Sequence, residues 1–200
     1  MQYAIVHLKQ QDPVLSGIID RVGDYAIQFR EPDFETLVKS IVFQQLSGRV
    51  ASVIFERLAK AACGTLTHAS VLKLRPSRMR TLGLSRQKIA YIRDLARHVR
   101  DGALVFEDLA ELPDAAVIER LTQVKGIGVW TVHMFLIFAL RRADVLPTGD
   151  LGIRNAIRKA YGLEETPTPA AVEAMAARWH PYCTVASWYL WRSLEPNANL

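Results

Sequence analysis

Apolar residues recur along most of this chain at the three- and four-residue spacing that places them on one face of a helix. The pattern is clear in segment 33–62, where the apolar positions are Leu37, Ile41, Val50, Ile54 and Leu58. Asp33 stands before this run as an N-cap. Ser47 and Gly48 interrupt the run, so we predict two helices here rather than one.

Start and stop signals predict further helices. Ser85 caps and Gly102 ends the helix in "SRQKIAYIRDLARHVRDG", and Asp150 and Gly162 do the same for "DLGIRNAIRKAYG". Another helix, "PDAAVIERLTQV", starts at Pro113. These signals favour many short helices.

The last long apolar segment, "TPAAVEAMAARWHPYCTVASWYLWRSL", is broken at His180 and Pro181. Alternation of the strand type occurs only in the first dozen residues and around "ADVLPTGD", and both stretches are short. We therefore predict an all-α fold, without internal repeats or a low-complexity linker.

Composition limits the class of protein. Two hundred residues, half of them hydrophobic, suffice for one compact domain or two small lobes that share a core. The longest apolar run is too short to span a bilayer, and the N-terminus lacks the pattern of a signal peptide, so we expect a soluble, intracellular protein. Cys63 and Cys183 are far apart in sequence and predict neither a zinc knuckle nor an iron–sulfur cluster. We expect both to be reduced, buried thiols.

The net charge of +5 favours a polyanionic partner only weakly. Its distribution says more, because basic residues are concentrated in two regions. The first holds Arg75, Arg78, Arg80, Arg86 and Lys88, and the second holds Arg141, Arg142, Arg154, Arg158 and Lys159. Two solvated helix faces would explain the same pattern equally well.

The stretch "KGIG" lies between two predicted helices and places Gly126 and Gly128 before the apolar run "VWTVHMFLIFAL". Glycine permits positive φ and removes side chains that would shield the backbone, so several N–H groups at the positive end of the second helix can point at one anion. An ordinary tight turn between helices is the alternative. A dinucleotide-binding fold is disfavoured, because no strand precedes the glycines and the third glycine of that motif is missing.

The stretch "LTQVKGIGVWTVHMFLIFALRRADVLPTGDLGIRNAIRKAYG" resembles the helix-hairpin-helix, Gly/Pro-rich loop and essential aspartate of base-excision DNA glycosylases. Within that group it resembles the alkylation-repair branch, the DNA-3-methyladenine glycosylase II family. The likeness extends to "SIVFQQLSGRVASVIFERL", "LGLSRQKIAYIRDLA" and "RWHPYCTVASWYLWR", and so covers about Phe34 to Arg192.

The resemblance implies a single glycosylase domain, 1–200, of two helical lobes with a DNA-binding cleft between them. One lobe would be 30–140, with the helix-hairpin-helix at 118–138, and the other 1–29 plus 141–200. The extra N-terminal β domain of longer bacterial enzymes is not expected.

The resemblance also assigns the chemistry. Asp150 would activate or orient water and stabilise the oxocarbenium-like sugar as the base leaves. Glycosylases that also cut the strand carry a lysine two residues after the second glycine, where this chain has Trp130. The implied enzyme is therefore a monofunctional hydrolase that excises alkylated purines.

Other residues would recognise the DNA. Gln45, with Leu46 beside it, would be the wedge that fills the gap left by the flipped nucleotide. A polar patch on an amphipathic helix is the alternative for Gln44 and Gln45, but the wedge is favoured because the two amides and Ser47-Gly48 interrupt an otherwise apolar face. The pocket for the base would contain Trp130, Trp191, Tyr182, Met134 and Leu151, with Trp188 as a lesser candidate. Each aromatic taken singly is more often a core residue.

The hairpin would bind phosphate through Lys125, Gly126, Gly128, Val129 and Thr131. It would also hold a K⁺ or Na⁺ ion through the main-chain carbonyls of Thr122, Val124 and Ile127. No cofactor is expected for catalysis.

The implied partner is duplex DNA with alkylated bases. We expect a monomer that binds no membrane and is cytoplasmic, at the nucleoid, or nuclear in a eukaryote. Two other functions stay open from the residues alone: a catalytically silent DNA-binding module in which Asp150 only caps, and a helical scaffold in which "KGIG" is only a turn.

Overall fold

The computed structural model describes residues 1–194. Across this range the chain forms twelve α-helices and two short 3-10 helices and contains no strand, which confirms the predicted all-α fold. The 3-10 helices are Glu107–Ala110 and Ala177–Trp179. The α-helices, in chain order, are α1 (Gln2–Gln11), α2 (Pro13–Val22), α3 (Phe34–Phe43), α4 (Gly48–Ala61), α5 (His68–Lys73), α6 (Pro76–Thr81), α7 (Arg86–Arg100), α8 (Asp114–Thr122), α9 (Val129–Phe138), α10 (Leu151–Ala160), α11 (Pro169–Ala176) and α12 (Cys183–Leu194).

The predicted helix caps are present. In each case the side-chain oxygen of the cap accepts the backbone N–H three residues later, which satisfies a group that has no acceptor within the helix. These bonds join Asp33 to Thr36 (2.8 Å), Ser85 to Lys88 (3.1 Å) and Asp150 to Ile153 (2.8 Å). The predicted breaks are also confirmed, because α3 ends at Phe43 and the chain leaves helical structure before α12.

The N-terminal segment differs from what its sequence pattern suggested. The first dozen residues alternate weakly but form α1, whose buried residues Ala4 and Leu8 are four apart, as on one face of a helix. Asp12 ends α1 and accepts the N–H groups of Val14 and Leu15 as the cap of α2. The other alternating stretch, 143–150, is turn and irregular structure.

The chain divides into two compact units. The continuous unit is Arg30–Phe135, and the discontinuous unit combines Met1–Phe29 with Leu136–Leu200. The second division thus falls within α9, whereas the lobes drawn from the sequence divide just after it. Residues 195–200 of the predicted second lobe lie outside the described residues.

The continuous unit is built around α3, α4, α5 and α7, which pack against one another. Its fully buried side chains include Leu37 and Ile41 of α3, Leu58 of α4, and Ile92 and Leu95 of α7. The apolar face of each helix therefore forms this core, as the helical spacing predicts. The core supports the loop between α3 and α4 and the turn between α8 and α9.

The discontinuous unit packs α1, α2 and α10 against α12. The carboxylate of Asp12 is fully buried and accepts hydrogen bonds from Trp179 Nε1 (2.8 Å) and the Tyr161 hydroxyl. Burial alone would raise the pKa of Asp12, but these hydrogen bonds outweigh it and hold that pKa below its usual value. The buried charge thus joins the N-terminal helices to the rest of the unit.

No helix within residues 1–194 has both the length and the apolar character needed to cross a membrane.

Candidate functional site

The turn between α8 and α9, residues 123–128, is here called the hairpin turn. Val124 and Ile127 are buried at its ends, and the Ile127 N–H donates to the Val124 carbonyl at 3.1 Å. Lys125 between them is exposed. The turn is therefore anchored by apolar side chains, and it leads directly into the N-terminus of α9.

The two glycines of the turn have different tasks. Gly126 has φ +83°, and a Cβ there would lie 2.1 Å from Cδ2 of Tyr91. Gly128 does not have positive φ, and a Cβ there would meet nothing within 4 Å. The expectation of positive φ is therefore wrong for Gly128, whereas the expected removal of a shielding side chain remains for it. Its missing side chain leaves open space beside the first turn of α9.

The first turn of α9 presents backbone N–H groups that have no acceptor within the helix, at its positive end. Val129 and Trp130 are exposed there (49% and 51%), whereas the Thr131 side chain is buried. Thr131 could thus meet a phosphate only through its backbone. Met134, one turn later, is half-buried.

Residues 44–47, here called the wedge loop, separate α3 from α4. Gln45 is exposed and has φ +55°, which is uncommon for a residue with a side chain. Leu46 beside it is 39% exposed. Gln44 points elsewhere, since its Nε2 donates to the Gly126 carbonyl at 2.8 Å. The side chains of Gln44 and Gln45 thus have different surroundings. The bond from Gln44 to Gly126 was not predicted from the sequence.

Asp150 belongs to the discontinuous unit and caps α10. Its Oδ1 accepts the Ile153 N–H at 2.8 Å and the Trp191 indole N–H at 2.9 Å. The residue is only 9% exposed. Gly152 permits this arrangement, because a Cβ there would lie 3.0 Å from Asp150 Oδ1 and 3.2 Å from Trp191 Cδ1. The carboxylate is therefore fixed by two donors.

The predicted pocket residues are divided between the two units. In the discontinuous unit, Trp191 contacts Asp150 and stacks on Phe138 with ring centroids 6.0 Å apart. Leu151, next to Asp150, is 62% exposed. Tyr182 packs edge-on against His7. Trp130 and Met134 belong to the continuous unit.

Trp188, the lesser candidate, is a core residue. It is 3% exposed and packs edge-on against Tyr25 and Tyr189.

Several residues of the two basic clusters bind the protein itself. Arg80 donates to the Leu84 carbonyl, Arg154 to the Pro167 carbonyl, and the Arg141 guanidinium lies over the Phe29 ring. Lys88, Arg142 and Arg154 are half-buried, whereas the other seven residues of the clusters, Arg80 and Arg141 among them, are exposed. The number of basic residues in the sequence thus overstates the cationic surface by these three residues.

Three metal-ligating side chains meet where α12 begins: Asp144, His180 and Cys183. His180 Nδ1 lies 2.8 Å from Asp144 Oδ2, and Asp144 Oδ1 accepts the Cys183 N–H at 3.1 Å. Burial, together with the nearby Asp144 carboxylate, raises the pKa of the fully buried Cys183 thiol. The three side chains thus form a hydrogen-bonded cluster at the start of α12.

Cys63, in contrast, is exposed, so the expectation of two buried thiols is wrong for that residue.

Of the predicted cation ligands, Thr122 is the last residue of α8, and Val124 and Ile127 follow in the hairpin turn. Carbonyls at the C-terminal end of α8 have no donor within the helix, and the negative end of the helix dipole favours a cation. The Thr122 hydroxyl donates to the Ile118 carbonyl, and the Thr122 carbonyl takes no part in that bond. The Val124 carbonyl already accepts one N–H, but a carbonyl oxygen has a second lone pair. A monovalent ion at these carbonyls stays a prediction.

Comparisons with known proteins identify the family. The family described as "HhH-GPD superfamily base excision DNA repair protein" matches residues 38–181. The chain is 35% identical to DNA-3-methyladenine glycosylase 1 of Schizosaccharomyces pombe over 197 residues, which cover 95% of this chain and 86% of that protein.

Solved structures agree. A 3-methyladenine DNA glycosylase of S. pombe in complex with abasic DNA matches with TM-score 0.84 and 35% identity, covering 95% of both chains. A DNA-3-methyladenine glycosidase from Bacillus halodurans matches with TM-score 0.88 and 36% identity, covering 96% of this chain and 89% of that one. The chain therefore belongs to the HhH-GPD superfamily of base excision DNA repair proteins, in the branch of the DNA-3-methyladenine glycosylases.

Proposed function

We propose that this protein is a DNA glycosylase that hydrolyses the bond between sugar and base at alkylated purines of the 3-methyladenine and 7-methylguanine type. Membership of the family and the names of its relatives support the reaction class. The observation that carries the proposal is Asp150, a nearly buried carboxylate fixed by the Ile153 and Trp191 N–H groups. A carboxylate fixed in this way suits a reaction that develops positive charge.

The target bond is inaccessible inside the base stack, so the nucleotide must be turned out of the duplex. Gln45 and Leu46 would fill the gap, because they are exposed at the tip of the wedge loop. The hairpin turn and the start of α9 would hold a backbone phosphate through N–H groups, with Lys125 beside them. Gly128 suits close approach of a phosphate, since nothing lies within 4 Å of its missing Cβ.

An alkylated purine is electron-poor and often cationic. The faces of Trp130 and Trp191 would stack on it, with an attraction of about 1–2 kcal/mol in a dry site. The exposure of Trp130 suits this role. Tyr182, Met134 and Leu151 stay predictions for the pocket.

Water would then be the nucleophile. Asp150 would orient or activate it and stabilise the oxocarbenium-like sugar. The position two residues after Gly128 holds Trp130, which offers no amine for a Schiff base. No strand cleavage by the enzyme is therefore expected.

A K⁺ or Na⁺ ion on the carbonyls of Thr122, Val124 and Ile127 would add positive charge close to the bound phosphate. We also propose that the protein acts as a monomer at the nucleoid, or in the nucleus of a eukaryote. The ion is tested by measuring duplex affinity at equal ionic strength in potassium and in tetramethylammonium salts. The monomeric state is tested by light scattering.

The reaction class is tested by incubating the protein with methylated duplex DNA and separating the released bases by chromatography. We expect free 3-methyladenine or 7-methylguanine, and none from the same duplex without methylation. Tight duplex binding with no released base would favour the silent DNA-binding module.

The proposed lack of strand cleavage leads to a separate prediction. Borohydride added during turnover should trap no covalent protein–DNA adduct, and product strands should break only after alkali or heat, because Trp130 cannot form a Schiff base. An efficient adduct would show that Lys125 or another amine is the nucleophile.

A further inference from the structure

One side of α7 contacts both the wedge loop region and the hairpin turn. Lys88, Tyr91 and Asp94 follow one another at three-residue intervals, so they are neighbours on the helix surface. All three are half-buried. The three side chains, here called the α7 row, reach segments that are far from them in sequence.

Lys88 holds the end of α3 and the start of the wedge loop. Its Nζ donates to the Val42 carbonyl at 2.7 Å and to the Gln44 carbonyl at 2.6 Å. Carbonyls at a helix C-terminus have no donor within the helix and carry partial negative charge, so an ammonium group fits them well. Burial lowers the pKa of Lys88, which is consistent with a group turned towards the protein rather than towards solvent.

Asp94 and Tyr91 hold the hairpin turn. Asp94 Oδ2 accepts the backbone N–H of Lys125 at 3.0 Å, and the side chain is 13% exposed. The Tyr91 ring fills the space that a side chain at Gly126 would occupy. The turn is thus hydrogen-bonded at one residue and packed against a ring at the next.

A direct bond completes the connection. Gln44 Nε2 donates to the Gly126 carbonyl, so the first residue of the wedge loop is joined to the glycine that packs on Tyr91. The wedge loop and the hairpin turn are therefore fixed relative to the same helix and to each other, all within the continuous unit.

We propose that the α7 row is a positioning device that sets the separation between the wedge residue Gln45 and the phosphate-binding hairpin turn. This inference rests on the proposed function. A wedge fills the gap only if it reaches the flipped nucleotide while the hairpin holds the backbone, and small displacements of positioned groups cost large factors in rate. The row acts through Gln45, and Lys88 is turned inward rather than towards DNA.

The first measurements use the full chain and four single variants. Lys88→Met removes the ammonium group but keeps most of the stem, and Lys88→Arg restores charge and donors. Gln44→Met removes only the bond to Gly126 and serves if the lysine variant folds poorly. Lys73→Met is the matched control, because Lys73 is an exposed lysine at the end of α5.

Two rates are measured for each variant: single-turnover base release from methylated duplex, and wedge insertion into a duplex with an abasic analogue, followed by fluorescence of a 2-aminopurine beside the lesion. We expect Lys88→Met and Gln44→Met to slow both at least ~10-fold. For Lys88→Met, the affinity of the folded protein for undamaged duplex should stay nearly unchanged, because Asp94, Tyr91 and Gln44 still contact the hairpin turn. Lys88→Arg should recover most of the loss, and Lys73→Met should match the wild type.

A double-mutant cycle shows whether Lys88 acts through the wedge. In a Gln45→Ala background, Lys88→Met should slow insertion and base release by less than about twofold further. An undiminished effect in that background, or wild-type insertion by Lys88→Met itself, overturns the proposal. If the wild type releases no base, the proposed function fails, yet the fluorescence assay still decides for or against the row.

Discussion

The hairpin turn and Asp150 present functional groups by opposite means. At the turn, the groups proposed to bind phosphate are backbone N–H groups, and side chains from elsewhere (Asp94, Tyr91 and Gln44) contact the turn. At Asp150 the offered group is a side chain, held by one backbone N–H and one indole N–H. The effect of a substitution at the turn should therefore depend on the shape of the new side chain. The effect of a substitution at Asp150 should depend on charge and hydrogen bonding.

The largest effect is expected for Asp150→Asn. Asparagine is an equally good N-cap, and its Oδ1 can still accept from both Ile153 and Trp191, so helix α10 and the stability should be preserved. The negative charge is lost, and the oxocarbenium-like transition state needs it more than the ground state does. Base release in single turnover should fall at least ~100-fold, which is about 2.7 kcal/mol.

Binding separates this result from misfolding. The Asp150→Asn variant should bind a duplex with an uncleavable abasic analogue nearly as well as the wild type. A wild-type rate of base release would mean that Asp150 is only a cap, and the assignment of the reaction to it would be wrong.

Sequence signals predicted what depends on near neighbours. The caps Asp33, Ser85 and Asp150 bond to N–H groups three residues away, so a short stretch suffices to find them. The weak alternation at the N-terminus suggested a strand, but this segment is helix α1. Its buried residues, Ala4 and Leu8, are four residues apart, which is enough to bury one side of the helix.

Contacts between residues far apart in the sequence could not be predicted from sequence patterns. Lys88 meets a carbonyl 46 residues away, and Asp94 meets an N–H 31 residues away. The charge pattern placed Lys88 in a basic cluster, for which a polyanionic partner and a solvated helix face explain the sequence equally well, whereas packing turns Lys88 inward. The indole N–H of Trp191 on Asp150 was missed for the same reason, although both residues had been chosen singly.

A smaller effect is expected for Trp191→Phe. Phenylalanine keeps a ring to stack on Phe138 but removes the indole N–H that donates to Asp150 Oδ1, while the capping bond from the Ile153 N–H stays in place. Loss of one hydrogen bond to a charged acceptor costs about 1.5–3 kcal/mol at most, and part of it falls equally on the ground state. We expect base release to slow by roughly 10-fold.

The matched control is Trp188→Phe, which changes a buried tryptophan of the same helix that packs on Tyr25 and Tyr189. It should alter melting temperature more than it alters the rate of base release. Equal losses of rate in the two variants would argue against a specific role for the Trp191 N–H.

The smallest effect separates the two glycines of the hairpin turn. A Cβ at Gly128 meets nothing in the protein, so Gly128→Ala should leave the melting temperature unchanged. It places a methyl group beside the N–H groups at the start of α9, so affinity for damaged and undamaged duplexes should fall alike, by about fivefold or ~1 kcal/mol.

Gly126→Ala should instead lower the melting temperature clearly, because its φ is positive and its Cβ would collide with Tyr91. Fluorescence anisotropy with both duplexes and thermal unfolding of both variants provide the measurements. A loss of stability in Gly128→Ala, with affinity per folded molecule unchanged, would reduce the turn to a connection between helices and remove the phosphate from the proposal.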